Sequence, residues 1–332
     1  MKISYPEYYV NFSCIAGACP DSCCKEWEVD VDDAAAVFYR GLEGDLGDRL
    51  RQVLKDTGDG TVMTIQDGRC PMWQQDGLCR IQAELGHDAL CQVCQTFPRL
   101  RHDYGDFVEM GLELSCPEAA RLILSAPRRW VSEYVSGGET PEYDAETMAI
   151  LLESRQTAMD FLDTTSLPAN RALAVLLLYA HQVQNWLDGG DPAQLDVSDS
   201  IALAEKHAGD FDWQQLLDFF GGLEILTPQW RERLAAPGAG VAWHNGYLAL
   251  AAYFVGRYWL QAVADFDLVC RVKLAVAACL LIYHLGGDFV STAQVFSKEI
   301  ENDPDNVDAI LDGCYTSPAL TDLHLLRLLL NG

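Results

Sequence analysis

Apolar residues in the last two thirds of the chain recur with the spacing of α-helices. The segment RALAVLLLYAHQV after Asn170 and the segments AAYFVGRYWLQAVADFD (251–267) and VCRVKLAVAACLLIYHL (269–285) are apolar on most sides. Such segments are typical of helices buried in a protein core. Glycine pairs, which favour helix ends, stand at 189–190, 221–222 and 286–287. The pattern therefore predicts a helical region over residues 126–332.

The first third of the chain has shorter and more varied patterns. Residues 32–55 show helical spacing that three glycines interrupt, and residues 27–32 alternate apolar and acidic side chains as a half-buried strand does. The Pro-Glu pair at 117–118 predicts a helix through Leu124, because proline suits the first turn and glutamate the positive end of the helix dipole. We therefore predict a mainly α protein in which a region of short strands and loops, residues 1–125, precedes the helical region.

Cysteines are concentrated in that first region. Nine of the twelve lie before residue 117: Cys14, Cys19, Cys23, Cys24, Cys70, Cys79, Cys91, Cys94 and Cys116. The start MKISYPEYYV lacks the apolar core and cleavage site of a secretory signal, so we expect a cytoplasmic protein whose thiols stay reduced. Clustered cysteines in a reducing compartment favour metal binding or redox chemistry over disulfides. The sequence therefore predicts a metal–thiolate site that also joins distant segments of residues 1–125.

The residue types do not identify which metal is bound. Zinc and iron–sulfur clusters both take about four cysteine ligands, and nine candidates exceed one such site. Adjacent Cys23 and Cys24 point apart in most backbone conformations, so they are not both expected to bind one metal atom. His87 and His102 lie near the cysteines and could replace a thiolate. The three later cysteines are expected to pack as small apolar residues: Cys270, Cys279 and Cys314.

The charge balance narrows the classes of partner. The chain has 23 Lys and Arg against 49 Asp and Glu, a formal net charge of -26. Such a surface repels nucleic-acid phosphates and anionic lipids, so we expect neither nucleic acid nor membrane as a partner. The apolar stretch 274–285 is shorter than the roughly 20 residues that span a bilayer. The acidity favours a basic partner or serves solubility alone.

Three segments carry a resemblance to a known family: FSCIAGACPDSCCKEWEVDVD, DGRCPMWQQDGLCRIQAELGHDALCQVCQTFPR and LSCPEAARLIL. The chain resembles the flagellin lysine N-methylases, and its N-terminal part also resembles zinc- or iron-chelating cysteine-cluster proteins. The methylase resemblance continues through HNGYLALAAYFVGRYW and covers nearly the whole chain. It implies methyl transfer from S-adenosylmethionine to lysine side chains of flagellin, with a four-iron four-sulfur cluster held by the cysteine region.

Two common motifs of methyl-donor chemistry are missing from the sequence. No G-x-G-x-x-G follows a predicted strand, so a Rossmann-type donor site is not visible. There is also no Cys-x3-Cys-x2-Cys run of the radical type, because Cys24 and Lys25 follow Cys19-x3-Cys23 directly. The competing hypothesis is a non-catalytic protein, stapled by zinc or iron, that binds or assembles a partner.

A lysine must lose its proton before it can attack a methyl sulfonium, which calls for a carboxylate, a tyrosine or a desolvated pocket. The segment between two cysteines offers polar candidates: His102, Asp103, Tyr104, Asp106, Glu109 and Glu113. Aromatic faces attract ammonium groups, and a second set could line a lysine channel or simply fill the core: Trp243, His244, Tyr247, Tyr253, Tyr258 and Trp259.

Overall fold

The computed structural model describes residues 1–58, 60–238 and 242–331. Its strands are β1 (Lys2–Pro6), β2 (Val29–Val31), β3 (Leu54–Asp56), β4 (Thr61–Met63), β5 (Arg99–Asp103), β6 (Phe107–Leu112) and β7 (Trp130–Tyr134). Its helices are α1 (Asp33–Gly41), α2 (Gly44–Val53), α3 (Arg80–Leu85), α4 (Gln92–Thr96), α5 (Pro117–Ser125), α6 (Ala145–Thr164), α7 (Ala169–Leu187), α8 (Val197–Glu205), α9 (Trp213–Gly221), α10 (Pro228–Ala235), α11 (Gly246–Tyr258), α12 (Leu268–Leu285), α13 (Phe289–Phe296), α14 (Pro304–Thr316) and α15 (Asp322–Asn331).

Single helical turns complete the secondary structure. The 3₁₀ turns are Glu7–Asn11, Ala16–Ala18, His87–Ala89, Trp259–Val263 and Pro318–Leu320, and a π-helical turn is formed by Ser297–Glu301. The expected region of short strands and loops followed by helices is therefore observed. Within the predicted helical region, 239–241 and 332 lie outside the described residues.

The larger sheet joins distant parts of the chain in the order β5-β6-β1-β7. Strand β1 runs parallel to β6, with Lys2 opposite Phe107, and antiparallel to β7, with Lys2 opposite Tyr134. Strands β5 and β6 form an antiparallel pair. Because β7 follows the predicted boundary near residue 125 and still pairs with β1, the first sheet extends past that boundary.

The apolar interior divides into two clusters. The smaller one lies between helices α1 and α2 and the antiparallel sheet β2-β4-β3, and its fully buried side chains include Tyr39, Leu50 and Met72. The larger one fills the helical region and takes in residues of β6 and α5 as well. The larger sheet therefore packs with the helices, while much of the cysteine-rich segment forms a unit with its own core.

Helix α12 is the centre of the larger cluster and packs against α7, α9, α11, α13, α14 and α15. It is long and apolar enough to cross a membrane by length and composition, yet 89% of it is buried inside the protein, as in the core helix of a soluble protein. Asp267 caps its first turn by accepting the Cys270 N–H at 3.2 Å, and Gly286 ends it with a φ of 64°. The predicted buried helix over 269–285 is thus confirmed.

Candidate functional site

A pocket of about 350 Å³ lies where the cysteine-rich region meets the helical region. We call it the interface pocket; its walls are Cys23, Trp27, Glu28, Val29, Asp30, Val93, Cys94, Thr96, Phe97, Arg99, Glu113, Glu301 and Asn302. The helical region contributes through the π-helical turn Ser297–Glu301, which follows α13 directly. Such turns are rare in proteins overall, and many of those that occur lie at functional sites. The pocket therefore combines a special backbone conformation with side chains from both regions.

The interface pocket is suited to a cation. Four carboxylates line it, Glu28, Asp30, Glu113 and Glu301, against one lining arginine, Arg99. The rings of Trp27 and Phe97 also face it, with centroids 6.1 Å apart and planes inclined by 60°. Carboxylates attract a positive charge, and aromatic faces stabilise an ammonium group further.

Glu301 forms the buried base of the pocket. Its side chain is 0% exposed and accepts hydrogen bonds from the hydroxyls of Tyr253 at 3.1 Å and Tyr258 at 2.9 Å. The guanidinium of Arg257 lies 3.5 Å from the same carboxylate and donates to the Tyr253 hydroxyl at 2.6 Å. A buried carboxylate requires such partners, because an unpaired charge away from water is strongly unfavourable.

Glu113 is a second carboxylate of the pocket and is only partly buried. It directly follows β6, and its backbone N–H donates to the Pro98 carbonyl at 2.7 Å. Its side chain is 20% exposed, lies 4.0 Å from Arg257 and accepts a long hydrogen bond of 3.3 Å from the Ser115 hydroxyl. Burial raises the pKa of Glu113, and the nearby Arg257 opposes that shift.

A buried lysine holds the cysteine loop against the helices. Lys298 in the π-helical turn is 3% exposed and pairs with Asp21 at 3.0 Å and Glu26 at 2.7 Å. Its ammonium also lies 5.0 Å from the centre of the Trp27 ring. Gln294 in α13 donates to Asp21 as well, at 3.1 Å. These contacts fix the loop that contains Cys23 and Cys24.

Replacing Lys298 by methionine should lower the free energy of unfolding by about 2 kcal/mol, because two partly buried carboxylates lose a charged hydrogen-bond partner. Equilibrium denaturation with urea measures this change. Lys25→Met is the matched control: Lys25 lies 3.8 Å from Asp21 in a more exposed pair, so its loss should cost less than about 1 kcal/mol. Equal effects of the two substitutions would contradict a special role for Lys298.

Six of the nine predicted cysteines lie together next to the interface pocket. The thiols of Cys23 and Cys70 lie beside the Cys24 sulfur, and their proximity lowers the pKa of Cys24 well below that of a free thiol. In the same way, the Cys94 thiol lowers the pKa of Cys91. The group is completed by Cys79, whose sulfur is close enough to Cys24 and Cys91 to interact electrostatically. A lowered pKa favours the thiolate, which is the form that binds metals.

The contact between Cys23 and Cys24 corrects the expectation that these neighbours point apart. They are the central residues of a turn in which the Lys25 N–H donates to the Ser22 carbonyl at 3.2 Å. Side chains alternate in extended backbone but not in a turn. The side chains of Cys23 and Cys24 can therefore point in the same direction.

The other three predicted cysteines form a second group. Burial raises the pKa of Cys116 to about 11, against the effect of the N–H groups of Ala119 and Glu118 at the start of α5, and the sulfurs of Cys19 and Cys14 add to the rise. Cys116 occupies the position directly before α5, and the helix begins at Pro117 as the sequence predicts. The predicted core cysteines are buried in the helical region: Cys270, Cys279 and Cys314.

The donor atoms suit a thiolate-bound metal, but the thiols do not converge on one point. Within the described parts of the chain, no three His, Cys, Asp or Glu side chains converge closely enough to hold a metal ion. Thiolate sulfur is the ligand that both zinc and iron–sulfur clusters take. Metal binding by the nine cysteines therefore stays a prediction.

The predicted histidine and acid candidates are mostly placed elsewhere. His87 is exposed in a 3₁₀ turn, and His102 lines a separate small cavity, where burial lowers its pKa. Glu109 is engaged by Arg155 in two hydrogen bonds of 2.5 and 2.7 Å. The remaining candidates contact local partners away from the interface pocket: Asp103 with Arg101, Tyr104 with Phe107, and Asp106 with Tyr143.

The predicted aromatic set divides in two. Tyr253 and Tyr258 reach Glu301 at the base of the pocket. The other four are packed within the helical region: Trp243 on Tyr283, His244 and Tyr247 against Phe289, and Trp259 on Tyr179. No lysine channel formed by all six is present among the described residues, because Tyr253 and Tyr258 face Glu301 while the other four pack against different neighbours.

Sequence reasoning did not select Arg257, Lys298 or Glu301. The signal available was charge inside apolar helical patterns, in VGRYW and in VFSKEIEND. A charged residue that is buried in a helix needs a partner, so such positions point to an ion-pair network.

The comparisons with known proteins give a partial match. No protein-family model matches the chain, and no solved structure does. The chain is 32% identical over 134 residues to the flagellar biosynthetic protein FliU of Salmonella muenchen, which covers 38% of this chain and 79% of that protein. It is also 32% identical over 134 residues to the lysine-N-methylases of Salmonella choleraesuis and Salmonella typhimurium, and this match covers 33% of each of those proteins. The chain therefore belongs to the family that includes FliU and these lysine-N-methylases.

Proposed function

We propose that this protein is a cytoplasmic protein-lysine N-methyltransferase that transfers methyl groups from S-adenosylmethionine to lysine side chains of flagellin. The name of the lysine-N-methylases supports the reaction, and the name of the flagellar biosynthetic protein FliU supports a flagellar substrate. The chain spans about a third of the length of the lysine-N-methylases, so their activity is proposed for this chain and not assigned to it.

The observation that carries the proposal is the interface pocket. A lysine side chain presents an apolar stem and a compact positive charge. The rings of Trp27 and Phe97 match the stem, and the carboxylate of Glu113 matches the charge. The methyl donor is a sulfonium, whose positive charge is attracted by the same acidic walls. The net charge of -26 also favours a basic partner.

The cysteines beside the pocket support a second part of the proposal, a bound iron–sulfur cluster with zinc as the alternative. The sulfurs of Cys23, Cys24, Cys70, Cys79, Cys91 and Cys94 would hold it. When bound, the metal supplies a rigid link between segments of the cysteine-rich region, and its redox chemistry if it is an iron–sulfur cluster. The chain's own residues meanwhile bind and orient the lysine.

Incubation with purified flagellin and S-adenosylmethionine tests the proposal. We expect intact-mass spectra of flagellin to shift in steps of one methyl group, with the shift absent when the donor is left out. Flagellin whose lysines have been acetylated is the matched control, since acetylated amines are not nucleophilic. If anaerobically prepared, metal-loaded protein adds no mass to flagellin, the enzyme proposal is wrong and a metal-stapled binding or assembly protein is favoured.

A further inference from the structure

We propose that Glu113 is the carboxylate that binds the ammonium group of the substrate lysine and accepts its proton. This inference rests on the proposed function and deepens it. It follows from the different contacts that the four carboxylates of the interface pocket make.

Glu301 is already fully engaged. Its two oxygens share hydrogen bonds from Tyr253 and Tyr258 and the charge of Arg257, and its side chain is wholly buried. Adding an ammonium there would require one of these partners to leave. Glu301 therefore acts as a positioning residue that holds Arg257 in place.

Glu28 and Asp30 flank Val29 of β2 and are exposed to solvent. Solvated carboxylates attract a cation over a distance but gain little from direct contact, because they exchange water for the ligand. They increase the local concentration of a basic substrate. They do not provide a dry binding site.

Glu113 differs from all three. Its carboxylate is partly withdrawn from water, and its charged neighbour Arg257 stays 4.0 Å away, beyond hydrogen-bond distance. Among the described residues, the Ser115 hydroxyl is the one group that donates a hydrogen bond to it, at 3.3 Å. Lone pairs of Glu113 thus remain available to the pocket. Partial burial also makes this carboxylate a stronger base than a solvated one, since burial raises the pKa of Glu113.

The Glu113 carboxylate takes a proton from the lysine ammonium, which leaves a neutral amine and a carboxylic acid. The amine nitrogen then forms a bond to the methyl carbon of the sulfonium donor. The carbon–sulfur bond breaks with its electron pair going to sulfur, and the donor leaves as a neutral thioether.

Methyl transfer by Glu113→Gln and Glu113→Asp tests the inference, with Glu205→Gln as the control. Glu205 pairs with Arg171 on the surface of α8. At neutral pH, Glu113→Gln should reduce kcat about 100-fold or more, as expected for loss of a general base. Glu113→Asp should retain part of the activity, and Glu205→Gln should match the unmodified protein.

The pH profile separates proton transfer from a structural effect. A free lysine has a pKa of about 10.4, so its neutral fraction rises steeply with pH and the base becomes dispensable. The loss in Glu113→Gln should therefore shrink as pH rises. The other ionisable groups near Glu113 are present in both proteins: Arg257, Glu301, Arg99, Glu28 and Asp30, with the thiols of the pocket. A loss that stays constant with pH, or no loss at all, would overturn the inference.

Calorimetric binding of a lysine-containing flagellin peptide at neutral pH gives a readout that needs no turnover. Glu113→Gln should weaken binding at least 10-fold relative to Glu205→Gln. If the unmodified protein binds the peptide through Glu113 but transfers no methyl group, the proposed function fails while the assignment of the carboxylate holds. Equal binding by the two variants, or no binding by the unmodified protein, would overturn the assignment.

Discussion

Substitution of Arg257 by methionine is expected to lower the free energy of unfolding by about 3–5 kcal/mol, because it leaves a buried carboxylate without its counter-charge. Arg257 is 11% exposed and Glu301 is 0% exposed, so water cannot replace the lost guanidinium. The Tyr253 hydroxyl also loses the hydrogen bond that Arg257 donates at 2.6 Å. Denaturation with urea, followed by circular dichroism, measures the change.

The same substitution in a Glu301→Gln background is the control. Glutamine keeps an acceptor for Tyr253 and Tyr258 but removes the charge, so Arg257→Met should then cost only about 1 kcal/mol. The difference between the two costs is the coupling between Arg257 and Glu301. If both backgrounds lose the same free energy, Arg257 acts through packing and the electrostatic account of the pocket's base is wrong.

Helices were the part of the fold that the sequence predicted best. Buried helices such as α12 carry apolar residues on every side and end at glycine, and both signals are local. The larger sheet could not be predicted in this way, because β1 pairs with strands far away along the chain, at Phe107 and Tyr134. Short strands have weak local signals, and their pairing depends on the packing of the whole domain.

Part of the acidic composition is explained by aspartates that cap helices, which the net charge alone does not reveal. Aspartate side chains accept N–H groups at the starts of α1, α6, α8, α9, α12, α13 and α14. A carboxylate at this position satisfies free backbone donors and complements the helix dipole. Part of the negative charge therefore stabilises helices, and only the rest is available to attract a basic partner.

The sequence predicted individual residues of the candidate site but not their arrangement. Glu113 and Tyr253 were each selected as candidates, for their chemistry, but nothing in the sequence joined them. They meet because α11 and the π-helical turn place Arg257 and Glu301 between them. The sequence assigns charged residues in helices to the surface by default, and burial of Glu301 is a property of the tertiary packing.

The largest expected effect at the cysteines is the loss of bound metal on replacing Cys24 by serine. Cys24 lies between the thiols of Cys23 and Cys70, so its removal separates two segments of the proposed cluster site. Serine has almost the same shape but is a much poorer ligand for soft metals. We expect iron and the visible absorption of the anaerobically purified protein to fall about 10-fold or more, in line with loss of a metal ligand.

A cysteine outside the site shows whether this loss is specific. Cys279 is completely buried in α12, within the helical core, so Cys279→Ala should keep the full metal content while costing some stability. A colourless protein that loses zinc on Cys24→Ser would identify a zinc–thiolate site in place of an iron–sulfur cluster, because zinc has no visible absorption. If Cys24→Ser keeps as much metal as Cys279→Ala, Cys24 is not a ligand. The pair Cys91 and Cys94, of which the first directly precedes α4 and the second lies within it, then becomes the first place to look for ligands.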